Sequence, residues 1–345
     1  MKQQKSRNNP TSIHWVGIDV AKATFDAGLV RRDQRYPDTP LREIPATSFE
    51  HSPEGVKTFL AWLDTQGIDG EEVRVIMEAT GRHSVTLAVQ ILEQRPSLCP
   101  AIANPYQTAK FIDSMSIRNK TDRLEARALG FYGVERNPMP YEPPTPEHAE
   151  LRALSRYRDR LVKEQTTLKN QMKETCNSTT VQKMQTKRMK LLVADIKRIE
   201  QAMQKLVAQH DDLKRDIQLL SSIFGIAFIN AAMMIAELGD LRRFAHARQL
   251  TAFAGMSPKH RQSGTSIHGR SRLCKQGNPR VRRGLYLSAM VAIRGNNQLR
   301  QTYQKLLKEG KPKMVALCAI MRKLLVLMRA ILISGKPYQP MGITR

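Results

Sequence analysis

Ile13-His14-Trp15-Val16-Gly17-Ile18-Asp19-Val20 reads as a buried β-strand carrying one acid near its end. A carboxylate among apolar neighbours needs a partner, a proton or a cation. A second apolar run, Val73-Arg74-Val75-Ile76-Met77-Glu78, closes on another acid, and Ala79-Thr80-Gly81 gives it a sharp exit. Asp122 and Glu125 stand three apart in Thr121-Asp122-Arg123-Leu124-Glu125-Ala126, so on a helix they share a face. Acids at strand ends and on one helix face can converge on a point. Unneutralised, they would repel each other there, so such a cluster requires hard divalent cations. Oxygen ligands suit Mg²⁺, and a two-metal site serves phosphodiester chemistry.

Outward from these acids, residues 11 to about 140 alternate strand and helix signals. Strands are expected at 13–20, 24–30, 41–47, 73–78 and 98–103. Ser52-Pro53-Glu54 opens a helix, with Ser as cap, Pro in the first turn and Glu suited to the dipole. Further helices are expected at 84–93, 106–114 and 122–132. This is the order of a mixed-sheet α/β domain. It is also the element order of the RNase H-like fold, whose metal acids come from a central strand, a strand end and a late helix.

Pro138-Met139-Pro140-Tyr141-Glu142-Pro143-Pro144-Thr145-Pro146 is a stiff linker and an expected boundary. A helical pair follows. The first helix, 147–175, carries Leu151, Leu154, Leu161, Leu168 and Met172 on one stripe. The second carries the heptad Leu192, Ile196, Ile199, Met203, Leu206, His210, Leu213, Ile217, in which only His210 is polar. An intramolecular hairpin and a dimerising coiled coil both satisfy this stripe. Residues 218–345 read as mainly helical, with helices at 245–254, 279–293 and 313–333. The opening Leu219–Ala227 resembles a helix-hairpin-helix element, whose Gly turn can meet a phosphate. Between these helices, 257–278 is polar, basic and Gly/Ser-rich, and reads as a long functional loop. The expected domains are therefore 1–145, 146–217 and 218–345.

Charge separates these regions. The chain has 345 residues and a net charge of +25. From Leu241 onward there are 22 Lys and Arg against one acid, Glu309, so less than a third of the chain holds most of the excess. Such a balance points to a polyanion. The longest apolar stretch, 315–333, is interrupted by Arg322, Lys323 and Arg329, which excludes a membrane span. No signal peptide is visible, and the scattered Cys99, Cys176, Cys274 and Cys318 have neither CxxC nor zinc spacing. A cytoplasmic protein with reduced thiols is expected.

Within the basic region, Lys259-His260-Arg261-Gln262-Ser263-Gly264-Thr265-Ser266 places a serine among cations and a glycine. Such a serine can attack phosphorus, with the cations stabilising the transition-state charge, or it can simply hydrogen-bond a phosphate. Lys259, Arg261, Arg270, Arg272, Lys275, Arg280, Arg282 and Arg283 form the expected nucleic-acid-binding array. A charge run is often only a solvated face, but here the near absence of acids argues for a neutralising polyanion. Aromatics make up only 6%, so duplex backbone contact fits better than stacking along a single strand.

Several blocks resemble the insertion-sequence one-ten family of bacterial DEDD transposases. They are Gly17-Ile18-Asp19-Val20-Ala21-Lys22, Glu78-Ala79-Thr80-Gly81, Asn104-Pro105 and Arg118 to Ala126. The C-terminal ones are Phe244 to Leu250, Phe253-Ala254-Gly255-Met256-Ser257-Pro258, Ser263-Gly264 and Lys275 to Arg283. The resemblance covers nearly the whole chain in the same order. It implies a RuvC-like RNase H-fold domain, a coiled-coil linker and a C-terminal transposase domain. It places Mg²⁺ on Asp19, Glu78, Asp122 and Glu125, and the nucleophile on Ser263, with Ser266 in reserve. It further implies a structured noncoding bridge RNA as guide, double-stranded target and donor DNA as substrates, and dimers assembling to a tetramer. The implied site combines parts of different subunits, in a bacterial protein associated with the nucleoid when active. The fourth acid departs from the family's usual Asp: Glu125 is longer by a methylene, and Mg²⁺ tolerates little distortion. A rival expectation is a metal-dependent nuclease or junction resolvase using activated water. A third is a non-catalytic nucleic-acid-binding protein.

Overall fold

The computed structural model describes residues 13–68, 72–117, 119–174, 178–263, 267–274, 276–295 and 298–339, with 259–263 and 267–272 as backbone alone. The chain divides into two compact units, Met1–Pro143 and Pro144–Arg345.

The first unit runs β1 (His14–Val20), β2 (Thr24–Val30), β3 (Ala46–Glu50), α1 (Pro53–Asp64), β4 (Val73–Glu78), α2 (Arg82–Gln94), β5 (Ala101–Ala103), α3 (Pro105–Ser114) and α4 (Asp122–Arg136). Its sheet has the order β3-β2-β1-β4-β5. β1 to β3 pair antiparallel, while β4 and β5 run parallel to β1, which places β1 at the centre. Strand alternation divides the core. Val16, Ile18 and Val20 join Phe25, Ala27 and Leu29 under Val56, Phe59 and Leu63 of α1 and Leu87 and Ile91 of α2. Trp15, Val30 and Ile76 pack on the other side with Phe111 of α3 and Leu129 and Phe131 of α4. The strand expected at 41–47 is a 3-10 turn, Leu41–Glu43, with β3 starting only at Ala46. Pro40 and Pro45 flank that turn and supply no N–H to a ladder.

The second unit runs α5 (Pro146–Gln171), α6 (Thr179–Ala208), α7 (Asp211–Ser221), α8 (Phe228–Leu238), α9 (Ala247–Phe253), β6 (Pro258–Ser263), β7 (Ile267–Leu273), α10 (Pro279–Ala292), α11 (Gln298–Lys308) and α12 (Lys313–Ser334). α5 and α6 pack along each other as a hairpin. Leu151, Met203 and Leu206 from this pair share one core with Ile217, Met234, Leu285 and Leu324. The heptad stripe is not one helix. It breaks at Gln209-His210, where His210 becomes the N-cap of α7 and Asp211 and Asp212 occupy the favourable first turn. The stretch 257–278 is not a loop either. It holds an antiparallel ribbon pairing Pro258 with Leu273 and Ser263 with Ile267. Its residues lack apolar alternation, so the two-residue period that betrays a strand is missing.

Candidate active site

Close backbone approach positions the acids. α4 lies directly on β1, because a Cβ on Gly17 would come within 2.0 Å of the Ala126 carbonyl oxygen and 2.2 Å of Gly130 N. Gly133 likewise sits against the Trp15 indole, where a Cβ would stand 2.6 Å from the ring. Going along α4 from Ala126 to Gly133 follows β1 backwards from Gly17 to Trp15. The helix therefore runs antiparallel to the strand, with its N-terminus at the strand's C-terminal end. Thr121 caps that N-terminus by accepting a hydrogen bond from Leu124 N, and Asp122 is the first helical residue.

Asp19 lies two residues beyond Gly17 on the same face of β1. Asp26 is its partner across the β1–β2 ladder. Glu78 closes β4, one step past the Ile18–Met77 pairing and so level with Asp19. Three strand-borne acids thus share the face that α4 covers, and Asp122 stands at the helix end above them.

The electrostatics follow. The Asp19 carboxyl is pushed up to about 6, first by burial, then by the charges of Asp122, Asp26 and Glu78; the Val20 backbone N–H opposes the shift. Asp26 is 8% exposed. It accepts a hydrogen bond from Ser48 Oγ and lies 3.6 Å from Arg123 Nε. Glu78 Oε2 accepts from Thr108 Oγ1 at 2.9 Å. Glu125 Oε1 pairs with Lys120 Nζ at 2.9 Å.

The donor set is all oxygen and anionic, which is the chemistry of a hard divalent cation. As the side chains stand, no group of three or more His, Cys, Asp or Glu among the described residues has metal-holding geometry. A cation would have to draw Glu78 and Glu125 from Thr108 and Lys120. The donor chemistry fits a metal; the rotamers are those of acids that have found other partners.

Asp26 was not singled out from the sequence. Its signal is strand pairing: a short turn at Ala21-Lys22-Ala23 folds β2 back on β1 and brings Asp26 opposite Asp19.

In the second unit, Ser263 ends β6. Lys259, Arg261, Arg270 and Arg272 lie on β6 and β7, with Lys259 opposite Arg272. Their side chains, with Ser266 and Lys275, fall outside the described residues. The rest of the expected array is engaged within the protein. Arg280 Nη1 meets Asp159 Oδ2 at 2.5 Å. Arg282 Nη1 donates to the carbonyl oxygens of Gly277 at 2.7 Å and Ala254 at 3.4 Å. Arg283 is half-exposed, 3.9 Å from Asp159. Asn278 caps α10 and donates to the buried Glu237, whose two carboxylate oxygens accept from Arg156 Nε and Nη2. Burial would raise the Glu237 carboxyl, but the hydrogen bonds from Arg156 and Asn278 outweigh it and hold it below the usual range. This network ties α5, α8 and α10 to the root of the ribbon.

No helix among the described residues is long and apolar enough to cross a membrane. A DEDD transposase family model of the IS110 type matches residues 16–181. A second model, described as transposase IS116/IS110/IS902 family, matches residues 217–304. The chain is similar to a pilin gene-inverting protein of Moraxella bovis, 27% identical over 94% of this chain and 97% of that protein. The corresponding protein of Moraxella lacunata is also 27% identical over the same shares. A transposase for insertion sequence element IS1111A of Coxiella burnetii is 24% identical over 86% of this chain and 87% of its own. With both family models in chain order and the first one spanning the converging acids, the chain belongs to the IS110/IS116/IS902 family of transposases.

Proposed function

We propose that this transposase is a serine recombinase that cleaves and rejoins DNA with Mg²⁺ held by Asp19, Glu78, Asp122 and Glu125. A structured noncoding RNA would choose target and donor, and dimers would assemble to a tetramer. The carrying observation is the convergence of Asp19, Asp26, Glu78 and Asp122 at one end of the sheet; burial first, and then the charges of the other three, push the Asp19 carboxyl up to about 6. The first unit is read as a RuvC-like RNase H fold. When bound, the metal would neutralise the acids and the developing phosphorane charge. Asp19 and Glu78 would hold it from adjacent strand ends, and Asp122 from the N-terminus of α4. Ser263 Oγ would lose its proton and bond to the scissile phosphorus. The bond from phosphorus to the leaving sugar oxygen would break, and that oxygen would take up a proton as a free hydroxyl. Reversal on a new strand end needs no external energy, because one phosphoester replaces another. Such conservative exchange suits the inversion reaction named in the Moraxella relatives. Cations of the ribbon would meet backbones, leaving sequence choice to the RNA, and would hold the protein on the nucleoid.

A denaturing gel tests the reading. End-labelled duplex DNA incubated with guide RNA and Mg²⁺ should yield a protein–DNA adduct, and Ser263→Ala should abolish it while DNA and RNA binding persist. An adduct in the alanine variant would move the nucleophile, first to Ser266. Cleavage without any adduct would favour the nuclease or resolvase reading, in which the same acids activate water.

A further inference from the structure

We propose that Phe253, Phe244 and Arg243 form a stacking platform for an unpaired DNA base at the root of the β6–β7 ribbon. Phe253 ends α9 and is 46% exposed. It is not a stray surface residue. Its ring lies 5.4 Å from that of Phe244, tilted by 54°. The Arg243 guanidinium stands 5.0 Å from the Phe244 centroid and 5.5 Å from that of Phe253. A planar cation and two rings form one surface that is apolar, polarisable and positive. That combination is what a nucleobase with its phosphate recognises.

The platform is rigidly mounted. Arg329 of α12 donates to the carbonyl oxygens of Phe244 and Ala245 at 2.7 to 2.9 Å. Arg243 Nη2 reaches the Leu238 carbonyl oxygen at 3.2 Å. The Phe253 carbonyl oxygen lies under Gly277, so close that a Cβ there would stand 2.4 Å away. That places Phe253 beside the loop that follows β7, and β6 begins five residues after it. No acid stands among these residues, and Arg248 on the same short helix is exposed. A paired base keeps both its faces in the helix stack. An unpaired base, of the kind strand cleavage and exchange expose, has a face to offer. The inference rests on DNA as substrate and needs neither the serine nor the metal.

The test uses the full-length protein and duplex DNA carrying one unpaired 2-aminopurine, with the fully paired duplex as control. Wild type should quench the fluorophore and prefer the bulged duplex. Phe253→Ala should remove the quench and weaken bulged-DNA binding roughly 5- to 100-fold, leaving paired-duplex affinity unchanged. Phe253→Trp should restore both. Phe253→Leu retains apolar bulk without a ring face, so it should fail like alanine while melting near the wild-type temperature. Wild-type quenching in the leucine variant would overturn the platform. So would an effect confined to the same bulge in RNA. Loss of paired-duplex binding in wild type would instead sink the DNA-substrate reading itself.

Discussion

At the scale of single residues, Asp19 is where geometry becomes charge. It holds its proton to about 6 because burial and three nearby carboxylates disfavour the anion. An unfolded chain would release that proton near the ordinary 3.8. The folded state therefore binds more protons between these values, and stability must fall as pH rises through the window. Thermal melting of metal-free protein should show this decline from 3.8 to about 6 and then level off with respect to Asp19. Asp19→Asn should flatten the decline and melt higher than wild type above it. A divalent cation should raise wild-type melting at neutral pH and leave the asparagine variant unmoved. A slope and a cation response that persist in Asp19→Asn would show that the cluster does not act through this residue. Glu78→Gln belongs with it: cleavage should be lost while DNA affinity stays similar or rises, since a negative charge near phosphate has gone. Recombination by that variant in Mg²⁺ would remove Glu78 from the site.

Elements fix where those residues stand, and glycine at one strand position decides most of it. Gly17→Ala would drive a methyl into the Ala126 carbonyl and Gly130 N. Overpacking of this kind costs about 1–3 kcal/mol, occasionally more. It should lower the melting temperature and abolish cleavage together, because Asp122 rides on the helix that is displaced. An alanine variant that melts lower yet cleaves normally would show that the α4 seating does not set the site. Of Arg280, Arg282 and Arg283, the first two are engaged with Asp159 and backbone carbonyls, which leaves the half-exposed Arg283 as the readiest of the three to meet a phosphate. Arg283→Ala alone should flatten the log–log salt dependence of DNA binding by about 0.9. Arg280→Ala should act chiefly on stability. A flattening of about three on replacing Arg280, Arg282 and Arg283 together by alanine would mean that these internal partners are released on binding. The sequence announced β1 and β4 by their apolar runs, and α4 by the helix expected at 122–132 with Asp122 and Glu125 on one face. It concealed the β6–β7 ribbon, polar along its length, and the break at His210, where an apolar stripe continues across two helices. Asp26 was hidden for a related reason: strand pairing, not local pattern, brings it to Asp19.

For the whole molecule, the proposed chemistry would be divided between two compact units, with the acids in Met1–Pro143 and Ser263 in Pro144–Arg345. Each unit has a core of its own: the sheet with its covering helices in the first, and the cluster from Leu151 to Leu332 in the second. A reaction needing both acids and serine can draw them from one chain or from two. Mixing defective chains separates these cases. Asp19→Asn and Ser263→Ala should each be inactive alone. If every site takes its acids and serine from one chain, each site in a mixed assembly carries a lesion, and nothing is recovered. If a site joins acids of one subunit to the serine of another, a mixed pair holds one doubly defective site and one intact site. With random pairing at equal amounts, half the pairs are mixed and half of their sites are intact, so about a quarter of wild-type adduct should return. The variants must be co-folded or exchanged before DNA is added, and the adduct should carry only the chain with the intact serine. Tagging the two chains to different masses reads this on one gel. No adduct from the mixture, with wild-type controls exchanging normally, would place the acids and the serine of each site in the same chain.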